Sequence, residues 1–309
     1  ISPKKLEKCF LKTFNFLLLH SSAITLMTSR VTGSQGLSKL SLTKPLKVIV
    51  LAASSDIGGH LVGHYLRQGA EVVGTYRSWT PKVAELEKQG ARLFSLDIRS
   101  SKQVASFTEQ LLASEFSWDT MISAVGLLDP ITSFFSTNFD AWEGSVITNS
   151  TSQLRVLHAV HDLRARSGMS KVLFFAGGGT NGPFDHYSAY CLGKVALIKM
   201  TELLDSEYPD LQVSIIGTGW VNTKIHHQTL AAGGSAGLNF DTTRQFMASS
   251  KPTGSSLETV AECVDWCLSA PRKAVGGRNF SLVHDQWRQP QFIEELIANP
   301  NSYKLRRVS

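Results

Sequence analysis

The run Lys47-Val48-Ile49-Val50-Leu51-Ala52-Ala53-Ser54-Ser55-Asp56-Ile57-Gly58-Gly59 decides the fold. A short β-branched stretch passes into small residues, then into a helical pattern that carries Ile57, Leu61, Val62 and Tyr65 inward. A second strand pattern follows at Glu71-Val72-Val73-Gly74-Thr75-Tyr76. Strand, tight turn, helix, strand is the unit that sets a helix N-terminus, with its unpaired N–H groups, under a dinucleotide pyrophosphate. Ala52 and Asp56 stand where glycine is usual in a Gly-x-x-x-Gly-x-Gly turn, whereas Gly58 remains and allows close approach of helix or backbone. Read alone, the stretch also fits an ordinary strand-to-helix turn of an α/β protein. Asp56 has two readings: it complicates the anion site, or it caps backbone N–H groups at the helix start.

Outward from this unit, further strand patterns fall near 91–96, 119–123, 171–175 and 211–217, with a last one near 278–283. Hydrophobic strands alternating with amphipathic helices predict an α/β protein with a doubly wound, mostly parallel Rossmann-type sheet and helices on both faces. Residues 47–309 are expected to form a single domain, long enough to bury a substantial core, and 42% hydrophobic residues is ordinary for such a domain.

A second run, Tyr187-Ser188-Ala189-Tyr190-Cys191-Leu192-Gly193-Lys194, places a tyrosine and a lysine four apart on an expected helix over 187–206. Both side chains then face one way and reach one reacting group. An ammonium beside a phenol favours phenolate, so the expected direction of the Tyr190 pKa is downward. The spacing by itself is common to many helices.

In this order the two runs resemble the short-chain dehydrogenase/reductase family, over roughly residues 46–285. Asp97 with Ile98, after Ala91-Arg92-Leu93-Phe94-Ser95-Leu96, matches the family's aspartate near the adenine ring. Ser123-Ala124-Val125-Gly126 falls where the family has Asn-Asn-Ala-Gly, with only the glycine kept. Trp142 followed by Asn149 matches the spacing to the family's helix asparagine, and Thr218-Gly219 followed by Thr223 resembles its Pro-Gly turn and threonine beside the nicotinamide. The resemblance implies a cofactor site of Ala52, Ser54, Ser55, Asp56, Ile57, Gly58, Arg77, Asp97, Ile98, Ala124, Val125, Gly126, Tyr190, Lys194, Gly219, Val221 and Thr223. It also implies that Tyr190 exchanges a proton with the substrate oxygen, that Lys194 lowers the tyrosine pKa and bonds the nicotinamide ribose, and that Asn149 supports a proton relay. The family's serine, twelve or thirteen residues before the tyrosine, is replaced by Gly177 and Gly178. Thr180 is the nearest substitute donor for the oxyanion and Ser188 a further one, either requiring the glycine loop to fold back toward Tyr190. The alternative is a catalytically weak or inactive NADP(H)-binding sensor or interaction protein.

After the second strand the chain offers Thr75-Tyr76-Arg77-Ser78, with Lys82 beyond, and no acid to hold an unmodified adenosine ribose. A guanidinium pairs with a 2′-phosphate, which favours NADP(H), with NAD(H) as runner-up; Arg77 as an ordinary surface charge is the other reading. The segment 224–257 lacks a strong apolar period and is expected to be a substrate loop, its His226, His227, Gln228, Arg244 and Gln245 binding a polar ligand or merely solvated. Together with Gly177-Gly178-Gly179, the downstream sequence from Val275 looks like a subgroup associated with polysaccharide or nucleotide-sugar pathways. The expected substrate is a small polar hydroxyl or carbonyl compound, a sugar or nucleotide-sugar derivative among them. Lys304, Arg306 and Arg307 either touch a phosphorylated substrate or form a solvated tail.

Residues 1–46 carry seven Lys or Arg and one acid, whereas the remainder carries twenty-four of each sign. The excess positive charge therefore lies in a basic N-terminal extension, and the neutral remainder gives no reason to expect nucleic acid. The stretch Phe14-Asn15-Phe16-Leu17-Leu18-Leu19 reads as targeting or membrane-proximal sequence, too short and interrupted for stable membrane insertion. Cytoplasm is the default location, with plastid or mitochondrion as the alternative. Cys9, Cys191, Cys263 and Cys267 suggest neither a disulfide scaffold nor a metal site. The family resemblance further implies a homodimer or homotetramer.

Overall fold

The computed structural model describes residues 44–166, 168–249 and 254–307, so nearly all of the basic extension expected at 1–46 lies outside the described residues. The strands are β1 (Lys47–Leu51), β2 (Glu71–Tyr76), β3 (Arg92–Ser95), β4 (Thr120–Ser123), β5 (Ser170–Phe175), β6 (Leu211–Gly217) and β7 (Asn279–Ser281). They form one sheet in the order β3-β2-β1-β4-β5-β6-β7, and all six pairings are parallel. The main helices are α1 (Asp56–Arg67), α2 (Pro81–Lys88), α3 (Ser101–Ala113), α4 (Phe139–Asn149), α5 (Thr151–Val160) and α6 (Ser188–Glu207), followed by α7 (His226–Ala232), α8 (Leu238–Ala248), α9 (Leu257–Ser269), α10 (Arg272–Val275) and α11 (Gln291–Ala298).

Successive side chains of a strand point to opposite faces, and a parallel sheet of this kind is covered on both. Val48 and Val50 accordingly join Ile122, Leu173 and Ile216 beneath Leu61, Val62 and Tyr65 of α1 and Val260 and Val264 of α9. Ile49 and Leu51 join Met121, Val172 and Ile215 on the other face, under Val104 and Phe107 of α3, Val156 of α5 and Leu197 of α6. Each such aliphatic side chain, taken fully from water, contributes about 1.5–3 kcal/mol of gross stabilisation. Helix starts are set by local chemistry: the hydroxyls of Ser55, Thr80, Ser100 and Ser256 each accept an N–H three residues on. Gly69, at φ 81°, turns the chain out of α1 toward β2.

The strand order reverses between β1 and β4, which opens a crevice at the carboxyl ends of the strands. The region expected as a loop over 224–257 is instead largely helical, comprising α7, a short 3-10 turn and α8. Its apolar residues are too few to show in the sequence pattern because the helices bury only short stretches: Thr229 and Ala236 are among the few fully covered positions. No helix among the described residues is long and apolar enough to cross a membrane.

Candidate functional site

A cleft of about 780 Å³ lies at this strand edge. The β1–α1 turn contributes Ser55, Asp56 and Ile57, the end of β4 contributes Ala124, Val125 and Gly126, and α6 contributes Tyr190 and Lys194. Thr180 enters from the loop after β5, and Gly219, Val221 and Thr223 from the segment after β6. Ala52, Ser54, Gly58, Arg77, Asp97, Ile98 and Asn149, expected at the site, are not part of the lining.

Several of these shape the cleft from behind. Ala52 holds φ 60°, a left-handed conformation that favours glycine, and its N–H lies 3.3 Å from the Thr75 hydroxyl. A Cβ on Gly58 would stand 2.2 Å from the Ala52 carbonyl oxygen, so this glycine permits close packing of α1 on its own entry turn. Ser55 caps α1 through its hydroxyl, at 3.0 Å from the Gly58 nitrogen. Asp56 therefore does not serve as the cap. One of its oxygens meets Lys82 Nζ at 2.9 Å and the other accepts the Lys224 backbone N–H at 2.7 Å. Burial works to raise its pKa, but these hydrogen bonds and the two lysine charges hold it below the ordinary carboxylate value.

Asn149 ends α4 at a break where Ser150 takes φ −131° and ψ −92°. Its amide grips the backbone of the loop after β4 twice, accepting from Leu127 N at 3.1 Å and donating to Leu127 O at 2.7 Å. Gln153, unmarked by sequence reasoning, donates to the Asn149 carbonyl at 2.9 Å and accepts from the Ser123 hydroxyl at 2.6 Å. Helical spacing from Asn149 was the only sequence signal for it. Gly193 lets α6 approach this break, since a Cβ there would fall 2.6 Å from Asn149 Cβ.

Lys194 is 1% exposed, and its ammonium donates to Phe175 O at 2.7 Å and Val125 O at 2.9 Å. Burial lowers its pKa to about 7. The ammonium lies 5.8 Å from the centre of the Tyr190 ring. Tyr190 is 8% exposed, and burial raises its pKa, with Cys191 adding a smaller push in the same direction. This reverses the expected depression by Lys194: desolvation of the phenolate dominates, and the lysine charge is itself weakened by burial and engaged by carbonyls.

At Gly177 there is no room for a side chain. A Cβ on Gly177 would stand 2.0 Å from Tyr190 Oη, so the phenol occupies the space a side chain would need. Gly179, at φ 82°, is also close to Cys191, whose sulfur would be 2.3 Å from an added Cβ. The glycine loop does fold against α6. Thr180 lines the cleft and its hydroxyl has no hydrogen bond among the described residues. Ser188 is turned away, accepting from Trp142 Nε1 at 2.9 Å.

Asp97, expected near an adenine ring, has its carboxylate held by the Arg99 guanidinium through contacts of 2.7–3.2 Å. That hydrogen bonding is the main reason its pKa is lowered. Arg77 is exposed just beyond β2, with no hydrogen bond or ion pair among the described residues. On the far side of the cleft, His226 stacks on Trp220 and Gln228 accepts from Leu128 N at 2.8 Å, so both are engaged in structure while lining the cavity. His227, Arg244 and Gln245 do not line it; Arg244 pairs with Asp241 one helical turn away. Of the terminal cations, Lys304 reaches the cleft, whereas Arg306 is bound to Glu202 at 2.5 Å. Tyr187, Lys224 and His284, from stretches already singled out, also line it, as does Phe184, which no motif flagged.

The helix N-terminus of α1, the small residues Ser55, Gly126 and Gly219, and the cation Lys224 at the turn fit a dinucleotide with an anionic centre. Residues 51–282 match the family described as enoyl-(acyl carrier protein) reductase. An uncharacterized oxidoreductase of Schizosaccharomyces pombe is 27% identical over 179 residues, covering 57% of this chain and 72% of that one. A short-chain dehydrogenase/reductase of Saccharomyces cerevisiae has a similar fold, with TM-score 0.67 and 17% identity over 81% of this chain and 98% of its own. So does a short chain dehydrogenase of Shigella flexneri solved with NADP, with TM-score 0.64 and 20% identity over 77% of this chain and 96% of its own. With a parallel sheet reversing at β1/β4, a cleft at that point, and a family match running from β1 to just beyond β7, the chain belongs to the short-chain dehydrogenases/reductases and is an NAD(P)-dependent member of that family.

Proposed function

We propose that the protein is an NADP(H)-dependent oxidoreductase interconverting a hydroxyl and a carbonyl on a small polar substrate, with a sugar or nucleotide-sugar derivative the first class to assay. The observation that carries this reading is the meeting of Tyr190 and Lys194, one helical turn apart on α6, in the cleft beside the β1–α1 turn. The bound nicotinamide supplies or accepts the hydride. Tyr190, kept protonated by burial, is suited to give its proton to a carbonyl oxygen. Lys194 ties the ends of β4 and β5 together through its two carbonyl contacts and so fixes the floor under the reacting atoms. Asn149 holds the loop at Leu127 in register with α6. Thr180 is the proposed oxyanion donor in place of the family's serine.

Preference for NADP(H) over NAD(H) is supported by the exposed Arg77 just after β2, the absence of an acid there, and the NADP and NADPH bound by dehydrogenases of similar fold from Shigella flexneri and Escherichia coli. Residues 1–46 are proposed as an extension separate from this chemistry, and the enzyme as a homodimer or homotetramer, an assembly for which the exposed Phe135, in the 3-10 turn before α4, and Phe139, at its start, offer apolar surface.

A second reading, a nucleotide sensor with little turnover, is favoured by one feature: the phenol of Tyr190 fills the place of the missing serine. Purified protein assayed with NADPH and NADH against a carbonyl panel separates the two. Oxidoreduction requires turnover that Tyr190→Phe abolishes while nucleotide binding persists. Tight NADPH binding without turnover in any preparation selects the sensor.

A further inference from the structure

Asp56 sits where the family pattern has a glycine, at the first turn of the helix that faces a dinucleotide pyrophosphate. A carboxylate there opposes the phosphates, and two lysines from distant segments converge on it. Lys82, from the start of α2, meets one Asp56 oxygen at 2.9 Å and also approaches Ser55 O at 3.3 Å. Lys224, from the segment after β6, donates its backbone N–H to the other oxygen at 2.7 Å. Its side chain then crosses the turn, and Nζ donates to Ser54 O at 2.7 Å.

The two lysines differ in one respect. The Lys82 charge is paired with Asp56, whereas the Lys224 ammonium has a neutral carbonyl as its partner and no carboxylate within 4.0 Å among the described residues. An ammonium carries three donors, so the contact with Ser54 leaves two unused. Lys224 lines the cleft beside Ser55 and Asp56; Lys82 does not. Asp56 and Lys82 therefore form the ion pair, and Lys224, whose charge acts on Asp56 only from beyond ion-pair distance, keeps two unused donors at the cleft side of the turn.

We propose that Lys224 is a dinucleotide-binding residue that contacts the pyrophosphate, positioned by its backbone bond to Asp56, and that it offsets the repulsion between the Asp56 carboxylate and the phosphates. The proposal rests on the nucleotide-binding reading above. Because the pyrophosphate is common to NADPH and NADH, Lys224 acts on both, whereas Arg77 acts on the 2′-phosphate of NADPH alone. A charge-assisted contact of this kind corresponds to about a tenfold change in affinity.

The test is titration of wild type, Lys224→Met, Lys224→Arg and Arg77→Ala with NADPH and with NADH, followed by nucleotide fluorescence at one fixed ionic strength, with thermal unfolding of each variant measured alongside. The expected result is that Lys224→Met weakens both nucleotides by the same factor of about ten, Lys224→Arg restores them, and Arg77→Ala weakens NADPH only. Unchanged binding of both nucleotides by a folded Lys224→Met protein overturns the proposal and leaves Lys224 as a structural strap. Selective loss of NADPH overturns it too, by moving the ammonium to the 2′-phosphate. Failure of the wild type to bind either nucleotide overturns the dinucleotide reading itself, an outcome separate from the other two.

Discussion

Replacing Gly177 with serine, the residue type usual in the family, is expected to impair this enzyme. An added Cβ would stand 2.0 Å from Tyr190 Oη, 2.4 Å from Cζ and 2.6 Å from Cε1. Ordinary contact begins near 3.4 Å, so the phenol or the loop must retreat by more than an ångström. Tyr190 has little room to yield, being 8% exposed and packed in a cluster with Leu128, Ile131 and Tyr187. Overpacking of this order costs about 1–3 kcal/mol, which lowers the melting temperature by roughly 2–10 °C in a domain of this size. Displacing Tyr190, the proposed proton donor, by about 1 Å costs on the order of a hundredfold in turnover. Gly178→Ser provides the comparison: its Cβ meets only the Phe184 ring, at 3.3 Å, and a small ring adjustment relieves it. Thermal unfolding and NADPH-oxidation rates of both variants decide the matter. A Gly177→Ser protein that melts with the wild type and turns over as fast or faster would refute the steric account.

Two further outcomes follow from the same cleft. Ala52 holds a left-handed φ of 60°, so Ala52→Gly is expected to stabilise the fold by about 0.5–1 kcal/mol, the relief of strain exceeding the added chain entropy; urea unfolding showing a loss of stability would contradict this. Burial holds Lys194 at about 7 in the folded chain, whereas the unfolded chain keeps that proton to about pH 10. Between those values the unfolded state binds more protons, so stability rises with pH, and the full penalty is present below pH 7. From pH 7 to 9 the lysine contributes a rise of about 2 kcal/mol that Lys194→Met should lack; parallel pH profiles of the two proteins in urea would count against it.

Much of the framework is legible in the chain itself. The β-branched run at 48–51 and the strand patterns that follow it place the strands of a covered sheet, because that signal depends on neighbours within a few positions, whereas the hydroxyl caps at 55, 80, 100 and 256 were read from the structure. Helices α7 and α8 were not legible, since they bury few residues and leave no apolar stripe. The pairing of Tyr190 with Lys194 follows from helical spacing, but the direction of the tyrosine pKa does not. It depends on how completely the ring is buried and on carbonyls from β5 and the end of β4 that take the lysine's donors.

The local pattern by itself determined the strand-turn-helix unit and the parallel sheet, because periodicity and turn chemistry act over short stretches of chain; the residues expected at the carboxyl edge came from the family resemblance, and seven of them lie outside the cleft lining. Only the tertiary structure decided what the unusual positions do: that the space at Gly177 belongs to the Tyr190 hydroxyl, that Asp97 is taken by Arg99, and that Asp56 is answered by Lys82 and by Lys224, 168 positions away. Those outcomes depend on distances between elements that no spacing along the chain encodes.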